Sequence, residues 1–492
     1  MSVVLRFVTR SELWFDEALS VNIARLPLSD LREALRHDGA PPLYYVLLHV
    51  WIDAFGSGDA AVRAFSGIVS LATLPAMWFA GRRIGGRTVA WLAVVVMATS
   101  PYAIRYATES RMYALVMFLV AWGYVALRRA LDRPSLGRLA VVAAIAALLL
   151  YTQYWSFYLL AVAGAWLLVR AWRPSGPDDR RAALGVIVAF VAGVIVFLPW
   201  VSTFRYQLAH TGTPWGDPRV PWAGLAEAFV SFIGGSDHGE AFLLLPPLLI
   251  LPLLALLGRG LDGGRIELDL RTRPGIRPEI VIAFGALVLG LTASWIGSTA
   301  FEGRYASIVF PVLVLVIAFG FTPFVDTRVR AGVVAFVVAF GLLGGIRNAV
   351  DHRTQAFQVA DVIRAEAKPG DFVVYCPDQV GPDTSRLLED GPRGLVQLTF
   401  PDGAPPQRVD WVDYIDRVNA TDGRAFAQRV AQRAGPNHTI WYVDSPGYHN
   451  VEGKCEQIGA TLDAIRGRSR GRVSPNDKYF EFLGIIQYPA RV

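Results

Sequence analysis

The chain has 492 residues, of which 53% are hydrophobic and only 18% are charged. Soluble globular proteins carry about a quarter charged residues, so this composition excludes an ordinary soluble protein and indicates a chain that lies largely in a bilayer. The net charge is +6, but the basic residues are nearly all arginines in short loops between apolar runs. Membrane orientation explains that distribution, and we expect no nucleic-acid partner.

The first residues are predicted to stay near the membrane surface. Residues 1–10, MSVVLRFVTR, resemble the last turns of a spanning helix, so we predict a truncated first span; a short interfacial anchor is the alternative. A polar loop follows over 11–40. The run 41–55, PPLYYVLLHVWIDAF, is too short to span and rich in aromatics. It predicts an interfacial helix with proline at its start, where the missing N–H costs nothing.

Ten apolar runs follow, separated by charged hinges. Spanning a bilayer takes about 20 residues of helix, with about 17 as the lower bound, and an open strand would leave its backbone groups unpaired in lipid. With the truncated first span, the sequence therefore predicts a polytopic α-helical protein of about eleven spans. The ten runs are 64–81, 88–104, 111–128, 136–152, 154–170, 183–203, 241–258, 280–298, 305–325 and 330–347.

Alternate hinges between these runs are rich in arginine, which places them in the cytoplasm. The basic hinges lie at 82–87, 128–138, 170–181, 259–277 and 328–330. The tail and the remaining loops then lie outside, the loops being 105–110, the turn at Gln153, 204–240 and 299–304. We therefore predict a multi-pass protein of the bacterial cytoplasmic membrane with its chemistry on the extracytoplasmic face. Residues 1–350 form its membrane domain, in which 11–60 is the first extracytoplasmic loop with interfacial helices.

The tail, 351–492, changes character. Its apolar runs DFVVYC and HTIWYV are typical of strands, and the stretches 411–418 and 422–434 are helix-like. They predict a soluble extracytoplasmic α/β domain with its own core. Outside the cytoplasm, Cys376 and Cys455 could pair as a disulfide. The alternative is a buried free thiol after a strand and an exposed one.

Asp16 and Glu17 are the first candidates for chemistry. They follow an aromatic pair in SELWFDEALS, just outside a membrane face. A partly desolvated carboxylate there has the raised basicity needed to take a proton from a hydroxyl. The alternative is that one of them caps the short helix that follows.

A second group of candidates lies in RYATESRMYAL, residues 105–115. Glu109 and Arg111 lie in an outward loop at the mouth of a helix, and an arginine beside a helix N-terminus suits a phosphate. Arginines are expected in cytoplasmic loops, so the predicted outward position of Arg105, Arg111 and Arg304 needs an explanation. Binding an anionic headgroup is one explanation, and pairing with Asp16, Glu109 or Glu302 is the other.

Two further segments carry polar side chains outside the bilayer. His37 and Asp38 precede the interfacial helix, although a lone loop histidine is more often solvated than catalytic. The turn YTQYW, 151–155, suits stacking on a sugar ring, with an ordinary aromatic belt as the alternative. No Cys/His cluster has metal-ligand spacing.

Five segments in this order resemble the GT-C glycosyltransferases, and are most similar to glycosyltransferase family 39 and the aminoarabinose-transferase type. The segments are LWFDEALS, PPLYYVLLHVW, Arg63 in AAVRAFSGI, YATESRMYAL and EGRYASIVFP. The resemblance covers about residues 1–350 and implies a sugar donor carried on polyprenyl phosphate. The chain departs from the pattern at Ala40 and Gln153, where relatives often have histidine near the acceptor side.

The resemblance implies roles for the candidates. Asp16 would be the general base, Glu17 and Glu109 would shape the acceptor site, and Arg111, Arg304 and Arg105 would bind the donor phosphate. The reaction would be an inverting displacement onto an acceptor hydroxyl of an envelope glycan, lipid or protein. No cofactor is expected; a divalent cation is permitted but not predicted. Substrate-binding candidates are His37, Asp38, Tyr44, Tyr113, Gln153 and Tyr154.

Two other functions are weighed against the enzyme. A transporter or flippase predicts ionisable residues inside the spans and inverted repeats, and neither is evident in the sequence. A binding protein with a degenerate site is the other hypothesis, and the intact Asp16, Glu109 and Arg111 oppose it. For the tail, we hypothesise that it binds acceptor glycan through aromatics such as Trp411, Trp441 and Tyr442.

Overall fold

The computed structural model describes residues 1–236, 238–261, 264–449, 451 and 453–491. Up to Val350 the described secondary structure is helical apart from a small hairpin, in which Gly258–Gly260 (β1) pairs with Ile266–Leu268 (β2). The helices of this part are Phe15–Ala24 (α1), Leu28–Asp38 (α2), Leu43–Phe55 (α3), Asp59–Thr99 (α4), Pro101–Ala107 (α5), Tyr113–Asp132 (α6), Leu136–Thr152 (α7), Ser156–Trp172 (α8), Pro177–Phe197 (α9), Val201–His210 (α10), Pro221–Phe232 (α11), Leu245–Leu257 (α12), Arg277–Ile296 (α13), Phe310–Gly320 (α14) and Thr327–Val350 (α15).

Each of the ten predicted runs contains a helix, so the polytopic helical architecture is confirmed. The first two runs are the arms of α4, which breaks at Gly85 and Gly86. Gly86 has a φ of 73° and a ψ of −161°, which is essentially restricted to glycine, so this pair allows the chain to reverse.

The number of spans stays a prediction. In the described residues, six helical segments are long and apolar enough to cross a membrane: Asp59–Thr99, Tyr113–Asp132, Pro177–His210, Gly239–Leu257, Arg277–Ile296 and Thr327–Val350. The helices α7, α8 and α14 are apolar but shorter, as is the predicted interfacial helix α3.

The basic hinges meet at one end of the helical bundle. Arg83 pairs with Asp132, which joins the first hinge to the second. Arg273 of the fourth hinge donates from Nη1 to the hydroxyl of Thr322, near the end of the run that precedes the fifth hinge, over 2.9 Å. The predicted outward loops converge at the other end, where the tail domain lies.

The first residues pack against α4 without forming an α-helix. Val4–Arg6 is a single 3-10 turn, and the side chain of Arg6 is fully buried. Its guanidinium donates to the carbonyls of Met97 (3.0 Å) and Ala98 (2.8 Å), which lie at the end of α4 where helix carbonyls lack internal partners. A truncated first span stays a prediction.

The tail folds as the predicted α/β domain. Its strands are Phe372–Cys376 (β3), Val396–Thr399 (β4), Ile440–Asp444 (β5), Arg470–Val473 (β6) and Gly484–Tyr488 (β7), in the order β4-β3-β5-β7-β6. The central β3 pairs in parallel with β4 and β5, and β7 is antiparallel to both β5 and β6. The helices are Ala356–Glu366 (α16), Gly381–Leu387 (α17), Tyr414–Ala420 (α18), Gly423–Ala434 (α19) and Lys454–Arg466 (α20).

The sheet is covered on both faces, as parallel strands require. Val373, Tyr375 and Trp441 are buried in one layer, while Phe372 and Tyr442 are buried in the opposite layer. The structure joins Cys376, the last residue of β3, to Cys455 in α20 by a disulfide.

Candidate active site

A cavity of about 830 Å³ lies between the outward ends of the helices, the layer α1–α2 and the tail domain. Its wall combines charged groups with aromatic rings. The acidic and basic residues of the wall are Asp16, Asp38, Arg111, Glu302, Arg304, His449 and Glu481. Much of the remaining wall is aromatic and is formed by Tyr113, Tyr154, Trp155, Phe157, Tyr158, Phe204, Trp215 and Tyr305.

Asp16 is held in the first turn of α1 and faces this cavity. Its side chain is 12% exposed, and its Oδ2 lies 3.0 Å from Nη1 of Arg304 and 3.7 Å from Nη2 of Arg111. These three residues are separated by almost 300 positions in the sequence, and only the fold brings them together.

The two arginines are nearly buried but incompletely paired. Arg111 donates from Nη1 to the hydroxyl of Ser20 over 2.9 Å, and Arg304 lies 5.7 Å from the ring of Trp14 and 5.6 Å from that of Trp215. Within the described part of the chain, Nε of each arginine lacks a hydrogen-bond acceptor. Buried N–H groups without partners are costly, so the pair is suited to an anionic ligand.

Glu17 points away from the cavity into a buried ion-pair network. Its carboxylate accepts bonds from Arg63 at Nε (2.8 Å) and Nη2 (2.5 Å), and from the backbone N–H of Ser110 (2.8 Å). Nη1 of Arg353 lies 3.5 Å away. Burial by itself raises the pKa of Glu17, but Arg63, Arg353 and the Ser110 N–H together outweigh burial and hold that pKa below its ordinary value. Glu17 therefore serves as an internal counter-ion.

Glu109 and Arg105 also lie outside the cavity wall. Arg105 Nε is 3.3 Å from Oε2 of Glu109, and Nη1 of Arg353 is 3.6 Å from the same oxygen. Burial raises the pKa of Glu109 despite both arginines. These groups extend the network beneath the site, and Arg105 does not reach Asp16 or the cavity.

Of the two titratable residues before α3, His37 and Asp38, one lines the cavity and the other does not. Asp38 lines it and accepts a 2.8 Å bond from the hydroxyl of Tyr45, and burial raises the pKa of this carboxyl. His37 points to the tail domain, with Nδ1 2.9 Å from Oδ1 of Asp410 and Nε2 3.3 Å from Glu33. His37 thus links α2 to the tail.

The remaining substrate-binding candidates divide in the same way. Tyr113, Gln153 and Tyr154 line the cavity. The Tyr113 hydroxyl and the Gln153 amide nitrogen have no partner among the described residues, whereas Tyr154 hydrogen bonds with Gln207. Tyr44 is buried behind the wall, 3.2 Å from the Ser110 hydroxyl.

The tail domain contributes wall residues that no sequence motif indicated. Trp411, Tyr448, Phe480 and Glu481 line the cavity, and of these only Trp411 was a candidate. Buried Arg353 was missed as well. These residues lie in loops of the α/β domain, so only their docking onto α1 reveals them. In the described residues, no group of three or more His, Cys, Asp or Glu side chains could hold a metal ion.

Residues 39–202 match the family model described as dolichyl-phosphate-mannose-protein mannosyltransferase, which spans less than half of the chain. No curated protein is a significant match to the sequence. Among solved structures, the chain is similar to ArnT from Cupriavidus metallidurans in the apo state, with a TM-score of 0.61, 14% identity, and coverage of 99% of this chain and 96% of that one. The same protein bound to undecaprenyl phosphate gives 0.60 and 14%, covering 99% and 97%.

A more distant likeness is to the oligosaccharyltransferase of Archaeoglobus fulgidus, tethered with an acceptor peptide. Its TM-score is 0.50 at 10% identity, covering 90% of this chain and 68% of that one. At such identities a structural likeness establishes fold alone. The chain is thus a helical membrane protein with the GT-C fold.

Proposed function

We propose that the protein is a membrane glycosyltransferase that transfers a sugar from a polyprenyl-phosphate donor to an acceptor hydroxyl. The observation that carries the proposal is the position of Asp16, which faces Arg111 and Arg304 across 3.7 and 3.0 Å at the wall of an 830 Å³ cavity. A carboxylate and two incompletely paired cations in one cavity can serve as the base and the leaving-group site of a displacement reaction.

Arg111 and Arg304 are assigned to the donor phosphate. Each has an Nε–H without an acceptor in the described chain, and a phosphate supplies several strong acceptor oxygens. The aromatic part of the wall suits the polyprenyl chain. The likeness to a structure containing undecaprenyl phosphate supports this assignment.

Asp16 is assigned as the general base. When the phosphate engages both guanidinium groups, they are drawn from the carboxylate, which is then free to accept the acceptor's proton. The acceptor oxygen forms a bond to the anomeric carbon as the bond to the phosphate oxygen breaks, with inversion. The leaving phosphate keeps its electron pair and is stabilised by the two arginines, so the step needs no general acid.

We also propose that the site faces the extracytoplasmic side of a bacterial cytoplasmic membrane. The arginine-rich hinges collect at the opposite end of the bundle, which is the cytoplasmic end by the charge rule. The acceptor is then an envelope glycan, lipid or protein.

Sugar transfer in proteoliposomes tests the proposal. A panel of labelled polyprenyl-phosphate sugars is offered with crude envelope acceptors, comparing wild type, Asp16→Asn and the control Asp30→Asn, which changes an exposed carboxylate on α2. We expect transfer from one donor, a loss of about 10²–10⁴-fold in Asp16→Asn, and none in the control. Transfer that survives Asp16→Asn overturns the assigned base, and absence of transfer from every donor contradicts the function.

We propose that the catalytic step requires no divalent cation, because two guanidinium groups already face the position assigned to the leaving phosphate. EDTA treatment should leave the transfer rate unchanged. Loss of transfer on EDTA that Mg²⁺ or Mn²⁺ restores would contradict this.

A further inference from the structure

One short segment of the tail domain contacts the chain immediately before Asp16. The ring of Phe480 packs edge-on against Trp14, with centroids 5.2 Å apart. Oε2 of the next residue, Glu481, accepts a hydrogen bond from the backbone N–H of Phe15 over 3.3 Å. Residues 466 positions apart in sequence are thus joined at the start of α1.

The start of α1 needs such an acceptor from elsewhere. The first N–H groups of a helix have no partner within it, and a side chain at the N-cap usually provides one. Here the N-cap residue is Trp14, which makes no capping hydrogen bond. Glu481, although distant in sequence, therefore supplies the capping acceptor. It bonds to Phe15, the first residue of α1, and Asp16 is the second.

Glu481 is itself held in place. Its N–H donates to the carbonyl of Arg353 (2.8 Å), and its carbonyl accepts from the N–H of Gln355 (2.9 Å). Its side chain lies beside that of Asp383, which accepts bonds from the Thr354 hydroxyl (3.0 Å) and the Thr384 N–H (2.7 Å). Hydrogen bonds of the backbone and of neighbouring side chains thus hold the segment around Glu481 in place.

The carboxyl groups of Glu481 and Asp383 are both buried, and the pKa of each is raised. Burial raises the pKa of Asp383 to about 6, and burial together with the neighbouring Asp383 raises the pKa of Glu481 well above its ordinary value. A protonated carboxyl group has one oxygen that donates a hydrogen bond and one that accepts. Glutamine has the same donor and acceptor arrangement.

We propose that Glu481 is a positioning residue of the transfer reaction, through which the tail domain fixes the first turn of α1 and so aims Asp16 into the cavity. The inference rests on the proposed function, since it needs Asp16 as the base. Displacing a reacting group by about 1 Å can cost about 10²-fold in rate. Removing the cap should therefore lower kcat more than it changes KM for the donor, because Arg111 and Arg304 belong to segments other than α1, whereas Asp16 lies in the capped turn itself.

The experiment compares kcat and KM in the proteoliposome assay for full-length variants. Glu481→Ala removes the cap, Glu481→Met removes it while filling the space, and Glu481→Gln keeps it. The control is Glu389→Ala, which breaks a 2.7 Å contact between the tail and Arg25 at the other end of α1. The double variant Asp16→Asn/Glu481→Ala tests whether Glu481 acts through Asp16.

We expect kcat to fall about 10–100-fold in Glu481→Ala and in Glu481→Met. Glu481→Gln and Glu389→Ala should stay within about threefold of wild type, and the double variant should be no slower than Asp16→Asn alone. A well-folded Glu481→Met at the wild-type rate overturns the inference, as does a full additional loss in the double variant. Absence of transfer in wild type overturns the proposed function and this inference together, so the two failures are distinguishable.

Discussion

Replacing Glu17 by glutamine would remove the negative charge from a buried cluster that otherwise holds two arginines. Glu17 is fully buried, and its partner Arg63 is 5% exposed, with a second cation, Arg353, 3.5 Å away. Breaking a buried ion pair from one side costs about 3–5 kcal/mol, because the remaining charge stays buried without compensation. The glutamine amide can keep the bond from Ser110 but not the charge. We therefore expect Glu17→Gln to be destabilised by about 3–5 kcal/mol.

The assay is unfolding of the purified protein in mixed micelles, together with sugar transfer at a temperature where the variant is folded. The control is Glu389→Gln, which breaks an ion pair whose side chains are 39% and 46% exposed and should cost at most about 1 kcal/mol. A Glu17→Gln protein as stable as this control would refute the counter-ion role. A Glu17→Gln protein as stable as wild type and yet inactive in transfer would also contradict a purely structural role for Glu17.

Three further outcomes follow from the positions of candidate residues. Arg304→Ala should lower kcat about 10²–10³-fold, whereas Arg105→Ala, outside the cavity, should leave it near wild type; equal losses in a transfer assay would contradict the assignment. Cys376→Ser should destabilise the tail domain by about 4 kcal/mol in a denaturant titration, since the bond to Cys455 closes a loop with a sequence separation of 79; an unchanged midpoint would refute this. His37→Ala should transfer sugar at the wild-type rate, and a tenfold loss would place His37 in the acceptor path.

Much of the architecture follows from local sequence. A bilayer leaves the backbone no option but to bond within a helix, so apolar runs such as 136–152 predict their helices to the residue. The alternation of arginine-rich hinges predicts which loops share a face, and the contact of Arg83 with Asp132 agrees with it. The strands of the tail are also evident from sequence, because runs such as DFVVYC are buried on both faces of the sheet.

The site is only partly readable in this way. The outward position of Arg111 and Arg304 marks them, because cations there oppose the orientation rule and need a partner. The sequence alone does not show which of Asp16 and Glu17 faces the cavity, because the two carboxylates are adjacent and share the same neighbouring residues. Their directions differ by about 100° around the helix, so one faces the cavity and the other faces Arg63.

Local sequence predicted the class of molecule, its helices and the segment that carries Asp16, while the face of its chemistry stays a prediction. The three-dimensional arrangement was needed to show that Glu17 is a counter-ion, that Arg105 and His37 lie outside the cavity, and that Glu481 caps α1. The reason is physical. The spacing of apolar residues along the chain decides whether a segment is a helix or a strand, so neighbouring residues are enough to predict it. The pairing of charges depends instead on which distant segments the fold places within hydrogen-bonding distance.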